Sequence, residues 1–482
     1  MSGISFYKHD PIPMEMHKVK VVQQLKLLPT DRRLEKMRAA GFNTFQLHNG
    51  DIFMDMLTDS GVNAMSDLQI AAMMHPDDAY AGSETFYRMR DKLEEIFGMK
   101  YCLPAHQGRA CENILANRFV TPGKCVIMNY HFTTAKAHIT RLGGHVEELV
   151  KDEGLVPKSG LPFKGNIDLD KVEACILKEA PENVAFMRIE SGTNLIGGQP
   201  ISYENMKAAT ELAKKYGILT VLDASLLQDN LYFIKIREES LKDKSIREIT
   251  RMIADLFDIV YFSSRKFGFA RGGAILVRDE AMFHSMEDLV PMFEGFLTYG
   301  GMSVREMEAM TVGFDESMEM DVISQGPQFI KYCVDQLDAY GVPVITPGGG
   351  LGAHLDCLQF IPHVPQEQYA ACALSCALYI CGGIRGMERG TLSEERNPDG
   401  SERIASMELL RLAVPRRVFT LSQTEYVIDR VKWLYDHRDL VGGLRFVHEP
   451  KTLRFFTGIL EPIGDWPEKL AAAYKAEFGP DQ

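Results

Sequence analysis

The spacing of apolar residues changes period along this chain. Between about residues 83 and 300, stretches with an apolar residue every three or four positions alternate with short runs of β-branched and aromatic residues. In the first such stretch Phe86, Met89, Leu93, Ile96 and Phe97 share one helical face; Ser83 stands at the N-cap and Gly98 stops the helix. Strands are predicted over Tyr101 to Pro104, Val126 to Asn129, Val184 to Ile189, Ile218 to Leu222, Ile259 to Phe262 and Ala274 to Val277. Helical patterns separate them, among them Ser202 to Tyr216 and Ser245 to Phe257. Such alternation predicts an α/β unit, a mostly parallel sheet covered on both faces. Beyond about residue 320 the pattern changes. A helix (Pro327 to Tyr340) carries proline in its first turn. It is followed by Pro347-Gly-Gly-Gly350, an apolar strand (His354 to Ile361) and a small-residue helix from Ala370 to Ile380. The expected organisation is an N-terminal arm (1–57) packing with the small domain, a large domain (58–320) and a smaller α+β domain (321–482).

Composition narrows the class. At 482 residues, with 45% apolar and 25% charged content, the chain reads as a globular protein of two or three domains. The 53 basic and 66 acidic residues leave a net charge of −13, which argues against nucleic acid or an anionic membrane as partner. No apolar run approaches the roughly 20 residues of a membrane span. The first residues lack a basic region followed by an apolar stretch, so a cytoplasmic protein is expected. Nine cysteines include no Cys-x-x-Cys pair; Cys372, Cys376 and Cys381 read as reduced core thiols rather than metal ligands. The 13 histidines show no zinc-ligand spacing.

Two strand ends carry candidate chemistry. Asp258-Ile-Val-Tyr-Phe-Ser-Ser-Arg-Lys266 reads as a buried strand ending in small polar residues and a lysine, and Ile218-Leu-Thr-Val-Leu222 ends in Asp223. A carboxylate and an amine at neighbouring strand ends are what pyridoxal phosphate requires: an aspartate for the pyridine nitrogen and a lysine for the aldehyde. Taken singly, a loop lysine and a helix-capping aspartate are the commoner roles. Gln107-Gly108-Arg109, between a strand and a helix start, could cradle a phosphate, and Phe132-Thr133 places an aromatic ring after a strand. Asn194 lies in a glycine-rich loop, Tyr80 in the loop before the first helix, and Arg389, Arg416 and Arg417 in the C-terminal part. A tyrosine there could act as an acid and an arginine could clamp a carboxylate; a packing ring and surface charges are the ordinary alternatives.

Together these residues resemble the β-eliminating lyases of the tryptophanase and tyrosine phenol-lyase family. The likeness runs from about residue 25 to 460, and Leu57 to Asp67, Ala79 to Glu84, His106 to Arg109, Asn194 to Pro200, Tyr299 to Gly301, Met387 to Gly390, Pro415 to Arg417 and Leu453 to Phe456 carry it. The resemblance implies the aspartate-aminotransferase-like architecture (fold type I), pyridoxal 5'-phosphate, a homotetramer and a monovalent cation such as K+. It implies Lys266 as Schiff-base lysine and α-proton base, Asp223 at the pyridine nitrogen, Gln107, Gly108, Arg109 and Ser263 at the phosphate, Phe132 on the ring and Asn194 at its oxygen. It assigns Arg416 to the substrate carboxylate and Tyr80 to protonation of the leaving group. Thr58 and Ser60 are implied at the substrate, and Gly61 and Asp78 at the cation. Arg389 and Thr133 match the residues that meet a phenol hydroxyl; Phe45, Met387 and Phe455 match the phenol-lyase pocket rather than the indole one.

The likeness also shows departures. The family's arginine near the cofactor's ring oxygen is Leu226 here, the first of its paired lysines is Arg265, its glutamate cation ligand is Asp78, and the loop Phe267 to Arg271 is shorter. The leading expectation is cleavage of tyrosine to phenol, pyruvate and ammonia. Set beside it are β-elimination or racemisation of another, modified amino acid, and a binding protein without catalysis. The lysine, aspartate, tyrosine and arginine together argue against the last.

Overall fold

The computed structural model describes Phe6, Tyr7, residues 12–479, Asp481 and Gln482; the rest of the arm expected over 1–57 lies outside the described residues. The chain forms two units. The larger comprises chiefly Ser60–Val156 and Leu161–Pro327; the smaller comprises the segment ending at Asp59, Pro157–Gly160 and Gln328–Gln482.

In the larger unit, β-branched and aromatic runs form seven strands: β1 (Tyr101–Ala105), β2 (Cys125–Met128), β3 (His145–Glu148), β4 (Val184–Glu190), β5 (Thr220–Asp223), β6 (Ile259–Ser263) and β7 (Gly273–Val277). Their spatial order is β1-β7-β6-β5-β4-β2-β3. All run parallel except β7, which is antiparallel to both β1 and β6. The carboxyl ends of the parallel strands therefore open on one edge of the sheet, where α/β folds bind ligands. Both faces are buried. Leu222, Val260, Phe262 and Leu276 pack one way against helix α1 (Glu84–Phe97) and its neighbours. Val126, Phe186, Val221, Ile259 and Ile275 pack the other way against helix α2 (Gly108–Phe119). Burial on both faces explains why these strands read as continuous apolar runs. β3 escaped the sequence pattern because it is a half-buried strand of polar composition, His145-Val-Glu-Glu148.

The start of α1 differs from expectation. The Ser83 hydroxyl does not cap it but donates to Asp77, whose carboxylate accepts the amides of Glu84 (2.6 Å) and Thr85 (2.8 Å). The Thr85 hydroxyl, which also donates to it, is the largest cause holding the Asp77 carboxyl well below its usual range.

The smaller unit is built around helix α3 (Ala370–Gly382), whose 13 residues are all buried, as its uninterrupted run of small and apolar side chains requires. Arg33 donates to the carbonyls of Ile380 (2.8 Å) and Cys381 (2.9 Å) at the end of this helix, which explains a buried arginine in the core. A three-stranded antiparallel sheet packs on α3: β8 (Gly352–Asp356), β9 (Met387–Arg389) and β10 (Leu409–Ala413), in the order β9-β10-β8. The strand expected over His354 to Ile361 thus ends at Asp356. The Asp356 carboxylate accepts the amides of Leu358 and Gln359 and starts a short helix, Cys357–Phe360. All nine cysteines are buried and none is in a disulfide. No helix among the described residues is long and apolar enough to cross a membrane.

Candidate active site

The carboxyl edge of the large sheet gathers most of the singled-out residues. Lys266 follows β6 in a tight turn, its amide donating to the Ser263 carbonyl (3.1 Å). Its side chain is 9% exposed, and its ammonium lies 5.5 Å from the centre of the Phe132 ring. Phe132 is the N-cap residue of the helix Thr133–Arg141 that follows β2, so Thr133 sits in that helix's first turn. Asp223 ends β5, next to Tyr261 of β6 and Glu190 of β4 in the sheet register. Its carboxylate is held from three sides: the Ser225 amide donates to Oδ1 (2.9 Å), the Tyr261 hydroxyl to Oδ2 (2.9 Å), and the Arg188 guanidinium to Oδ2 as an ion pair. Asn194 is buried in the loop after β4, its amide donating to Glu190 Oε1 (3.2 Å).

Gln107 is the N-cap residue of α2 and Gly108 its first helical residue, directly after β1. A Cβ on Gly108 would lie 2.8 Å from Ser263 Cβ, so the helix start and the end of β6 touch and only glycine fits there. An α-helix leaves its first amides without intrahelical partners, and here that end abuts Ser263, with Arg109 in the same turn. Arg109 and Arg271 lie close enough to Arg265 to add to the effect of burial in lowering its guanidinium's pKa. Positive charge thus accumulates at the rim of the cradle. A strand-end carboxylate, a lysine, an aromatic ring over which that lysine sits, and a helix start fitted against a serine form the donor set that pyridoxal phosphate needs, and the residues present fit it.

Of the residues implied for a monovalent cation, Gly61 lies against Arg265. The Gly61 amide donates to the Arg265 carbonyl (2.7 Å), and a Cβ on Gly61 would lie 2.5 Å from an Arg265 guanidinium nitrogen. The same guanidinium donates to Ser60 Oγ (3.3 Å). Asp78 is exposed. Tyr80 is 74% exposed; it stacks on Phe296 at 5.8 Å between ring centres and meets Tyr299 edge-on. Leu226 is buried, with its Cβ 3.0 Å from where a Cβ on Gly192 would stand, in the loop that carries Asn194.

The remaining singled-out residues belong to the smaller unit. Met387 and Arg389, two apart on β9, are both buried and point to the same face. The Arg389 guanidinium lies 6.0 Å from the Phe455 ring centre, and Phe45 meets Phe455 edge-on at 5.6 Å. Arg416 is buried and donates to Asp59 Oδ2 (3.3 Å). Arg417 follows with a left-handed backbone, and Thr58 is half-buried next to Asp59.

Four residues of the larger unit escaped the sequence reading: Glu112, Arg188, Glu190 and Tyr261. Arg188 also donates to the Tyr261 hydroxyl (2.8 Å) and pairs with Glu190 (3.5 Å), and Tyr261 reaches Glu112 (3.4 Å). Burial pushes the Glu112 and Glu190 carboxyls up to about 7, against the pull of Arg188. A signal existed: Arg188 and Glu190 stand two apart inside an otherwise apolar strand, and buried charges at period two need partners.

Solved structures agree on the class. Serine palmitoyltransferase of Sphingomonas wittichii superposes with a TM-score of 0.56 over 82% of this chain and 90% of its own, at 13% identity. A SepCysS–SepCysE N-terminal domain complex does so with a TM-score of 0.52 over 81% and 96%, at 14% identity. At such identities the likeness concerns the fold, and fold and site define a pyridoxal-phosphate-dependent enzyme of fold type I. The model of the "Beta-eliminating lyase" family matches residues 55–430, and the chain belongs to that family. Its relatives include proteins named tyrosine phenol-lyase. That of Symbiobacterium thermophilum is 39% identical over 93% of this chain and 98% of its own length. That of Clostridium tetani is 40% identical over 92% and 97%, and that of Lacrimispora saccharolytica 42% identical over 93% and 96%.

Proposed function

We propose that this β-eliminating lyase cleaves tyrosine to phenol, pyruvate and ammonia. The observation that carries this reading is the Arg389–Phe455–Phe45 cluster: a buried guanidinium against phenylalanine rings suits an aromatic side chain that ends in an oxygen. The names of the relatives, at about 40% identity over nearly the whole chain, support it. When bound, pyridoxal phosphate supplies the electron sink that makes an α-proton removable. Lys266 would hold its aldehyde, Asp223 its ring nitrogen, Phe132 its ring face, Asn194 its ring oxygen, and Gln107, Gly108, Arg109 and Ser263 its phosphate. In this reading Lys266 Nζ takes the α-proton and Arg416 binds the carboxylate with its planar fork. Arg389 and Thr133 orient the phenol oxygen, Thr58 and Ser60 border the substrate, and Phe45, Met387 and Phe455 enclose the ring. Tyr80 Oη gives a proton to the ring carbon that leaves.

An acid that is 74% exposed is not shielded from water within its own chain, which supports an assembly, a homotetramer in this proposal, in which another copy covers Tyr80. The monovalent cation, such as K+, that the resemblance implies at Gly61 and Asp78 would share its corner of the site with the Arg265 guanidinium, which stands where the family has a lysine. The test is turnover of L-tyrosine scored for phenol and pyruvate together, within a panel of amino acids. Equimolar phenol and pyruvate from tyrosine support the proposal. Pyruvate from another amino acid and none from tyrosine would overturn it in favour of a second reading, β-elimination of a modified amino acid; inversion at the α-carbon without pyruvate would overturn it in favour of racemisation. Leu226 favours the second reading, because it sets an apolar side chain beside the Asn194 loop where the family resemblance implies an arginine.

A further inference from the structure

Strand periodicity places Arg188 and Glu190 of β4, Asp223 of β5 and Tyr261 of β6 on one face of the sheet, the face that helix α2 covers with Glu112. Arg188 is 2% exposed and meets two carboxyl groups, of Asp223 and Glu190, and the phenol of Tyr261. Burial works against its charge, but Tyr261, Asp223, Glu190 and Glu112 outweigh burial and hold its pKa far above the ordinary value. The contacts are unequal. Arg188 bonds Asp223 Oδ2 directly, Glu190 stands 3.5 Å away, and Glu112 is reached through Tyr261. Glu112 and Glu190, with carboxyls near 7, are the groups that give up charge first as pH falls, and Asp223 holds the closest contact with the cation. Oδ2 of Asp223 is thus occupied by Arg188 and Tyr261, and the Ser225 amide pins Oδ1 from the following turn. A carboxylate held in this way cannot swing, and its remaining lone pairs have a fixed direction.

We propose that Arg188 is a positioning residue for the cofactor nitrogen: by holding Asp223 through Oδ2 it sets how strongly the chain grips the pyridine ring at that atom. This rests on the reading of Asp223 as the nitrogen's partner. It does not depend on which amino acid is cleaved.

The test measures binding rather than turnover. The full-length protein, freed of cofactor, is titrated with pyridoxal phosphate and with the carbocyclic analogue in which a C–H replaces the ring nitrogen. Arg188→Met is expected to weaken pyridoxal phosphate about ten- to a hundred-fold and to leave the analogue unchanged. Arg188→Lys keeps a cation and guards against a variant that fails to fold; it is expected to lose about ten-fold in preference for the natural cofactor over the analogue. Equal weakening of both ligands, or an unchanged preference in Arg188→Lys, would overturn the inference, since a merely structural arginine would not distinguish the two rings. Asp223→Asn separates the two levels. If it abolishes the preference while the Arg188 variants keep it, the inference about Arg188 alone fails. If it too leaves the preference intact, the reading of Asp223 fails with it.

Discussion

Glu190 makes a prediction about pH. Its carboxyl is raised from the ordinary value of 4.5 to about 7, chiefly by burial, so the folded chain binds this proton more tightly than the unfolded chain does. The stabilisation is complete below about pH 4.5 and is lost as pH rises through about 7. Across that window the wild type should lose on the order of 3 kcal/mol at this position, and Glu190→Gln should flatten the slope in denaturant titrations. The same change in stability between pH 5 and 7 in the wild type and in Glu190→Gln would contradict this. At the reacting centre, Lys266→Ala should abolish borohydride-fixable attachment of the cofactor and lower turnover at least about a thousand-fold, measured by phenol release. Arg389→Leu should lower kcat/KM for tyrosine about a hundred-fold or more, because in the proposed site the phenol oxygen loses its donor, while leaving cofactor affinity unchanged. These two residues stood out in the sequence because each sits beside a strand end or in a compact motif. Arg188 and Tyr261 did not, since a residue in mid-strand shows its partner only when the neighbouring strands are in register, and that register is not written locally.

Among the elements, the strand ends β1 and β6 are drawn together at Gly108. A Gly108→Ala methyl would press on Ser263 Cβ at 2.8 Å, and both are backbone-anchored. A loss of about 1–3 kcal/mol in stability is expected, together with weaker cofactor binding, both read by titration. The parallel sheet was legible because its strands, buried on both faces, leave unbroken β-branched runs between amphipathic helices. Two elements were misread for local reasons. β3 carries polar, half-buried side chains at the sheet edge, and the strand from His354 is cut short when the Asp356 carboxylate captures the next amides and begins a helix. The cap of α1 was misplaced likewise: Ser83 has the right chemistry at the right position, but Asp77, six residues earlier, folds back with a charge and takes the amides itself.

For the whole molecule, the proposed assembly and the implied cation are both open to measurement. Activity and cofactor affinity compared in K+ and in Na+ buffers decide whether that cation is bound. A K+ requirement would support the cation at Gly61 and Asp78; equal behaviour in both buffers would set it aside. Sedimentation should give a tetramer, and Tyr80→Phe should lower tyrosine turnover by about two orders of magnitude without dissociating it.

Strand β7 carries a consequence for how the protein is made. It lies between β1 and β6, yet it is synthesised after both, and it alone joins them across the sheet. Gly273, at its start, has so little room that a Cβ would fall 2.7 Å from the Phe262 carbonyl and 3.0 Å from Gln107. A nascent chain that has emerged to Arg271 already holds Gln107, Gly108, Ser263 and Lys266, but as two hydrogen-bonding edges with nothing between them. Non-local strand insertion of this kind is a late folding event. Cofactor capture by ribosome-bound chains of increasing length should therefore be absent until the residues through Val277 have cleared the exit tunnel.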